Sequence, residues 1–202
     1  MNRYLKLLIC RLAIPALAIA VAAANVPARA ALPPPHPLVV MQTSKGLILI
    51  KLFPEDAPKS AANFIKLVDE HFYDGTKIHR VADIQGPPGS GQGHIVQGGS
   101  PLSKSMPATA PQIGGGGPGY TIKGEFPANG VHNPLLHNQG AFAMAREQAP
   151  DTAGSQFYIV VMPAPSLNGK YAVFGQVIKG IDVANQLVVG DVIQQVSIEK
   201  TR

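Results

Sequence analysis

The side chains best suited to chemistry in this chain of 202 residues are an arginine and two glutamines set among glycines. Arg80 stands in His79-Arg80-Val81, Gln97 opens Gln97-Gly98-Gly99, and Gln156 lies in Gly154-Ser155-Gln156-Phe157, downstream of Met144-Ala145-Arg146. A guanidinium stays charged and holds several N–H donors in a rigid fork, so Arg80 is suited to stabilising charge or a lone pair that develops during a reaction. Glutamine donates and accepts, and Gly98 and Gly99 let backbone approach a bound molecule closely. Taken singly, a His-Arg pair is equally compatible with a surface salt bridge, and Gln-Gly-Gly with a plain turn. Several other chemistries lack their signatures. The glycine run at 114–119 is not followed by the Gly-Lys-Ser/Thr of a phosphate loop. There is no Gly-x-Ser-x-Gly nucleophile elbow. His132 and His137 stand without cysteines or a carboxylate cluster at metal-ligand spacing.

The N-terminus is read separately from the part that positions these groups. Arg3 and Lys6 form a positive start, residues 12–24 are an uncharged apolar run, and Ala28-Arg29-Ala30 has the small-x-small form of a cleavage site. Residues 1–30 therefore read as a secretory signal peptide, and the apolar run, interrupted by Pro15, is too short to span a bilayer. Removing the leader takes away Arg3, Lys6, Arg11 and Arg29 but no acid, so the formal charge falls from 17 − 12 = +5 to 13 − 12 = +1. A near-neutral surface without basic runs excludes the electrostatic footprint of a nucleic-acid binder. Cys10, the single cysteine, departs with the leader, leaving a chain suited to an oxidising compartment and stabilised without disulfides. The expectation is an exported protein, periplasmic or secreted, with no stable membrane association after cleavage, and a monomer.

Residues 31–37 hold four prolines and read as an extended linker. The folded domain is expected over 38–202. Apolar segments at 38–42 and 47–53 flank Thr43-Ser44-Lys45-Gly46 and predict a hairpin. Pro58, with Asp56 or Ala57 before it, opens a helix whose apolar positions Ala61, Ile65, Val68 and Phe72 repeat until Asp74-Gly75. Further β-like runs occur at 140–145, 155–161, 172–178 and 192–198, and a short helix fits 181–187. Many strands and only two helices favour an antiparallel barrel or sandwich over a parallel sheet. With no tryptophan and five tyrosines, a carbohydrate-binding sandwich with aromatic platforms has little support.

In chain order, Tyr73-Asp74-Gly75, His79-Arg80-Val81, Gln97-Gly98-Gly99, Met144-Ala145, Gly154-Ser155-Gln156-Phe157 and Ala172-Val173-Phe174-Gly175 resemble the pattern of the cyclophilins, a family of peptidyl-prolyl cis/trans isomerases. The resemblance runs from about residue 40 to 198. It implies a mainly β fold, a closed eight-stranded antiparallel barrel capped by two helices, with proline-containing polypeptides as substrates and no cofactor. It also implies that Arg80 is the catalytic arginine and that Gln97 touches the substrate carbonyl and supports it. Ala145 and Arg146 would contact the peptide through backbone, so the Arg146 side chain, where many relatives carry asparagine, need not matter for turnover. Gln156 matches a groove glutamine, while Phe157 fits the core equally well.

The proline pocket departs further from the family pattern. His94-Ile95 stands where many relatives have Phe-Met, Tyr158 replaces a common phenylalanine, Leu167 is retained, and Tyr171 replaces a frequent histidine. Ser166 occupies the place of an aromatic residue important for cyclosporin binding. The expectation is a more polar pocket, with His94 inside it and close to Arg80. The stretch 82–93 is longer than the usual link, rich in glycine and proline, and reads as a tolerated surface loop beside the site. A competing reading is a peptide-binding module or chaperone of the same fold that has lost turnover through His94, Ile95 and Ser166, against which Arg80 and Gln97 argue.

Overall fold

The computed structural model describes residues 36–86 and 92–199. The leader expected at 1–30 lies outside the described residues, as do 31–35 of the linker. Eight strands form, β1 (Leu38–Thr43), β2 (Gly46–Leu52), β3 (Arg80–Gln85), β4 (Gln92–Gly98), β5 (Ala141–Met144), β6 (Phe157–Met162), β7 (Val173–Lys179) and β8 (Ile193–Glu199). Two α-helices accompany them, α1 (Pro58–Asp69) and α2 (Ile181–Asn185).

All strands pair antiparallel in one curled sheet ordered β3-β4-β6-β5-β7-β2-β1-β8. The sheet is open, which corrects the expected closed barrel. Its end strands β3 and β8 do not pair with each other. Instead the chain just before β3 meets the start of β8, with Ile78 N–H donating to Asp191 O (2.8 Å), Gly190 N–H to Ile78 O (2.8 Å) and Ile193 N–H to Thr76 O (2.8 Å). These short contacts satisfy the edge locally, and β3 itself is left to pair only with β4.

Because side chains alternate across a strand, the sheet has two chemically distinct faces. The inner face carries the row Val81, Val96, Ile159 and Phe142, paired strand to strand from β3 to β5. The apolar stripe of α1, Ala61, Phe64, Leu67 and Val68, covers this side of the molecule. Phe64 stacks on Tyr73 at 4.8 Å and meets Phe142, Phe174 and Phe157 at 5.1, 5.6 and 5.8 Å. Truncating an aromatic at the centre of such a cluster costs about 3–5 kcal/mol.

The start of α1 has an unexpected partner. Ala57 is the cap residue and has no side chain able to bond the free N–H groups, so buried Glu125 supplies the acceptor from elsewhere in the chain. Its carboxylate accepts from Lys59 N (2.9 Å), Ser60 N (2.8 Å) and Ser60 Oγ (2.8 Å), and its charge suits the positive end of the helix. The helix stops at Asp69, short of Phe72, where His71 adopts φ 54° and Phe72 N–H turns back to Leu67 O (2.9 Å). That reversal delivers Tyr73 to the core.

Candidate active site

The outer face of the same strands builds the site. One row across the sheet pairs Arg80 with Gln97, Gln97 with Tyr158, and Tyr158 with Ala143, from β3 through β4 and β6 to β5. The next row pairs Ala82 with Ile95 and Ile95 with Val160. Ile95, Ala141, Ala143, Tyr158, Val160, Ala164 and Val173 form a small buried cluster beneath this face, separate from the main core.

The resulting cavity has a volume of about 310 Å³. Arg80 and Gln97 stand on its polar side, Ile95 and Tyr158 come from the strands, and Ala145, Arg146, Leu167 and Tyr171 come from the loops after β5 and β6. Residues as far apart in the chain as Arg80 and Tyr171 are thus brought together by strand pairing. Ile84 completes the lining. A second cavity of about 450 Å³ adjoins it, sharing Gln97, Ala145 and Arg146, and is walled by the glycine run at 114–117 with Tyr120, Thr121 and Gln156. Gln156 therefore faces this second space rather than the first.

A directed chain of hydrogen bonds joins the two. Arg80 Nη1 donates to Gln97 Oε1 (3.0 Å), and Gln97 Nε2 donates to Gln156 Oε1 (3.0 Å). Gln156 Nε2 then donates to Gly114 O (2.8 Å) and Gly116 O (3.1 Å). Both amide orientations are set by this order, since each glutamine oxygen already faces a donor. The loop carrying Gln156 is anchored from below. Tyr73 Oη donates to Ser155 O (3.0 Å), Ser155 Oγ donates to Gly99 O (2.7 Å), and Asn63 Nδ2 on α1 donates to Gly154 O (2.7 Å). Gly99 has φ 88°, and a Cβ there would come within 2.5 Å of Ser155 O, so only glycine permits this close approach. His79, behind Gly114, is buried with neither ring nitrogen partnered, and burial lowers its pKa.

His94 is absent from the cavity lining, contrary to expectation. It is one residue out of phase with Ile95 and Gln97, so the pleat turns it to the other face, where its Nδ1 lies 2.7 Å from Asp83 Oδ1. Its charged neighbour is a carboxylate, not the Arg80 guanidinium. The stretch 82–93 is likewise not only a loop. Its described ends extend β3 and β4 as a hairpin, with Gln85 opposite Gln92 and residues 87–91 outside the described part.

Tyr158 does not make the cavity as polar as its hydroxyl suggested. The hydroxyl is buried and lies 2.9 Å from His137 Nε2, with the imidazole stacked on the phenol ring. His137, unpromising as a metal ligand in sequence, is a buried part of the cavity's support. The Arg146 side chain also has a larger role than the family comparison implied. Its Nε and Nη2 donate to Lys170 O (3.3 and 2.9 Å), its Nη1 donates to Glu147 O and Gln148 O (both 2.8 Å), and it stacks on Tyr171 at 4.5 Å and Phe126 at 5.1 Å. The glycine run walling the second cavity and the inward Ile84 were missed in sequence. The only available hint for the first was the crowding of glycines where close backbone approach is needed. Among the described residues, no group of three or more His, Cys, Asp or Glu side chains is placed to hold a metal ion.

Known proteins share both the sequence and the fold. Peptidyl-prolyl cis-trans isomerase B of Bacillus subtilis is 43% identical over 152 residues, covering 75% of this chain and 90% of that protein. A Helicobacter pylori peptidyl-prolyl cis-trans isomerase is 36% identical over 158 residues, covering 77% and 83%. The crystal structure of a Cryptosporidium parvum cyclophilin type isomerase superposes with a TM-score of 0.65 at 26% identity, covering 83% of this chain and 99% of that one. The same protein crystallised in the presence of the dipeptide Ala-Pro gives a TM-score of 0.64 at 26% identity, over 81% and 99%. The family model described as cyclophilin type peptidyl-prolyl cis-trans isomerase/CLD matches residues 38–202, so the chain, with its Arg80–Gln97 pair on the rim of the cavity lined by Ile95, Leu167 and Tyr171, belongs to that family.

Proposed function

We propose that this protein catalyses cis/trans rotation about Xaa-Pro bonds, with the proline ring in the cavity of Ile95, Tyr158, Leu167 and Tyr171 and Arg80 as the catalytic group. The barrier to be lowered is about 18–20 kcal/mol and comes from amide resonance, so no covalent bond has to break. As the amide twists, its nitrogen becomes pyramidal and regains a lone pair, and a donor aimed at that nitrogen favours the twisted form over either planar one.

The observation that carries this reading is the Arg80–Gln97–Gln156 chain at the cavity's edge. Gln97 takes one guanidinium hydrogen and fixes the fork, leaving other N–H groups of Arg80 for the amide nitrogen. Gln97 Nε2 gives one hydrogen to Gln156 and keeps a second for the substrate carbonyl, whose position sets how the peptide lies. The cavity walls hold the proline ring while the residue before it turns.

The test is a peptide isomerisation assay on the parent and on Arg80→Ala. Loss of a charge-assisted hydrogen bond made mainly in the twisted state is worth about 1.5–3 kcal/mol, so kcat/KM should fall at least tenfold. A value within twofold of the parent would remove Arg80 from this role.

We also propose that the protein works after export, as a periplasmic or secreted monomer acting on folding polypeptides. The support is the leader-like sequence of residues 1–30 and a remaining chain without cysteine. N-terminal sequencing of the protein recovered from outside the cytoplasm tests it, and an intact Met1 on that material would count against cleavage.

A further inference from the structure

We propose that Ile84, carried into the site by the β3–β4 hairpin, is a specificity-determining residue that selects substrates with a large apolar side chain next to the proline. The inference rests on the isomerase reading above.

The hairpin's outer face presents three rungs in order. Arg80 and Gln97 form the polar rung, Ala82 and Ile95 the next, and Ile84 and Gly93 the last. The face thus runs from the reacting group, through the apolar floor, to an isoleucine beyond it. Ile84 both lines the cavity and packs against the buried cluster of Ile95, Tyr158 and Ala164. Its rung partner has no side chain for a physical reason. A Cβ on Gly93 would lie 2.6 Å from Ala164 Cβ, so the hairpin sits directly on the segment after β6, and Ile84 is the only side chain on that rung.

Three contacts hold this phase. Gly93 seats on Ala164, Ser166 Oγ donates to Gln85 O (3.2 Å), and on the opposite face His94 meets Asp83 at 2.7 Å. A one-residue slip would turn Ile84 outward and Asp83 toward the cavity, burying a carboxylate, so the register is strongly specified. A half-buried apolar wall at the end of a proline cavity favours a neighbouring apolar side chain and disfavours a charged one, because only the former gains from displacing water there.

The experiment measures kcat/KM for two peptide series, one varying the residue before proline and one the residue after it, each as Ala, Leu, Phe and Glu. The parent should prefer Leu or Phe over Glu in one series. Ile84→Thr, which keeps the β-branch and the strand preference, should cut that preference about fivefold, read as the ratio of kcat/KM for the Leu or Phe peptide to that for the Glu peptide. If that variant does not fold, Ile84→Val should move the ratio about twofold the same way. An indifferent parent, an unchanged ratio, or an equal loss on every peptide overturns the inference. The parent's rate on the alanine peptide over the uncatalysed rate, with Arg80→Ala run in parallel, separates its failure from that of the isomerase reading, since the latter fails if the parent gives no acceleration on any peptide.

Discussion

Replacing Tyr158 with phenylalanine should leave the cavity's shape intact and destabilise the fold. Asn168 Oδ1 accepts the His137 backbone N–H at 2.7 Å, which identifies that atom as the amide oxygen. The His137 Nδ1 lies 3.2 Å from the same oxygen and must therefore carry the ring proton. Nε2 is left with a lone pair, and the Tyr158 hydroxyl donates to it at 2.9 Å. Without the hydroxyl, Nε2 stays buried with no donor, because His137 is only 1% exposed. Leaving a buried acceptor unsatisfied costs about 1–3 kcal/mol. For a domain of this size that lowers Tm by about 2–10 °C. The hydroxyl is engaged by His137, which does not line the proline cavity, so kcat/KM at 25 °C should change by no more than about twofold. Thermal unfolding and peptide isomerisation on the same preparation read both quantities. An unchanged Tm would show that the bond stabilises nothing. A large loss of turnover at unchanged Tm would place the hydroxyl in the reaction instead.

Acid should weaken the fold through the same histidine, whose pKa is lowered to about 4, chiefly by burial and against a smaller opposing effect of Asn168. Between about 6.5 and about 4 the unfolded chain binds a proton that the folded chain refuses, so this stabilisation, on the order of 3 kcal/mol, is present above pH 6.5 and is lost as pH falls toward 4. Urea midpoints at pH 7 and 4.5 should fall less in His137→Gln than in the parent, and equal falls would contradict the linkage; buried His79, lowered in the same direction, adds to the parent's decline in both proteins. Arg146→Ala should free Tyr171 and the loop at 145–148, raising KM several-fold, about 1 kcal/mol, with kcat less affected. Arg146→Lys should not rescue it, because an ammonium cannot span the Lys170, Glu147 and Gln148 carbonyls as a fork does, and full rescue would reduce the arginine's role to its charge.

What was legible in the sequence is what local pattern and chain order encode. The first hairpin, both helices and β5 to β8 follow from apolar runs and turn residues, with ends shifted by one or two positions except at α1, which stops three residues short of Phe72. Arg80, Gln97 and the loop residues Ala145, Arg146, Leu167 and Tyr171 come together as their order in the chain suggested. The strands β3 and β4 were not legible as runs, because they carry the site's polar groups on one face and are divided by a glycine- and proline-rich stretch. Glu125 capping α1 was out of reach for a different reason. It lies 65 positions from Ser60, and no local rule connects a carboxylate to a helix start so far away.

The misplacement of His94 turns on a single step of phase. Matching positions along the chain puts His94 immediately before Ile95 and tempts one to place both in the same cavity, yet neighbours in a strand face opposite ways. Only the pairing of Asp83 with His94 and of Ile84 with Gly93 reveals which face each takes, and that pairing depends on how far the hairpin continues toward Gln85 and Gln92. Once β3 and β4 extend to Gln85 and Gln92, the polar pair on one face and the isoleucine on the other are consequences of the same register. The length of the hairpin therefore shapes the cavity by carrying the pleat two rungs past Arg80. Cutting the hairpin back would remove Ile84 from the wall and free the Ser166 hydroxyl from Gln85 O in one step.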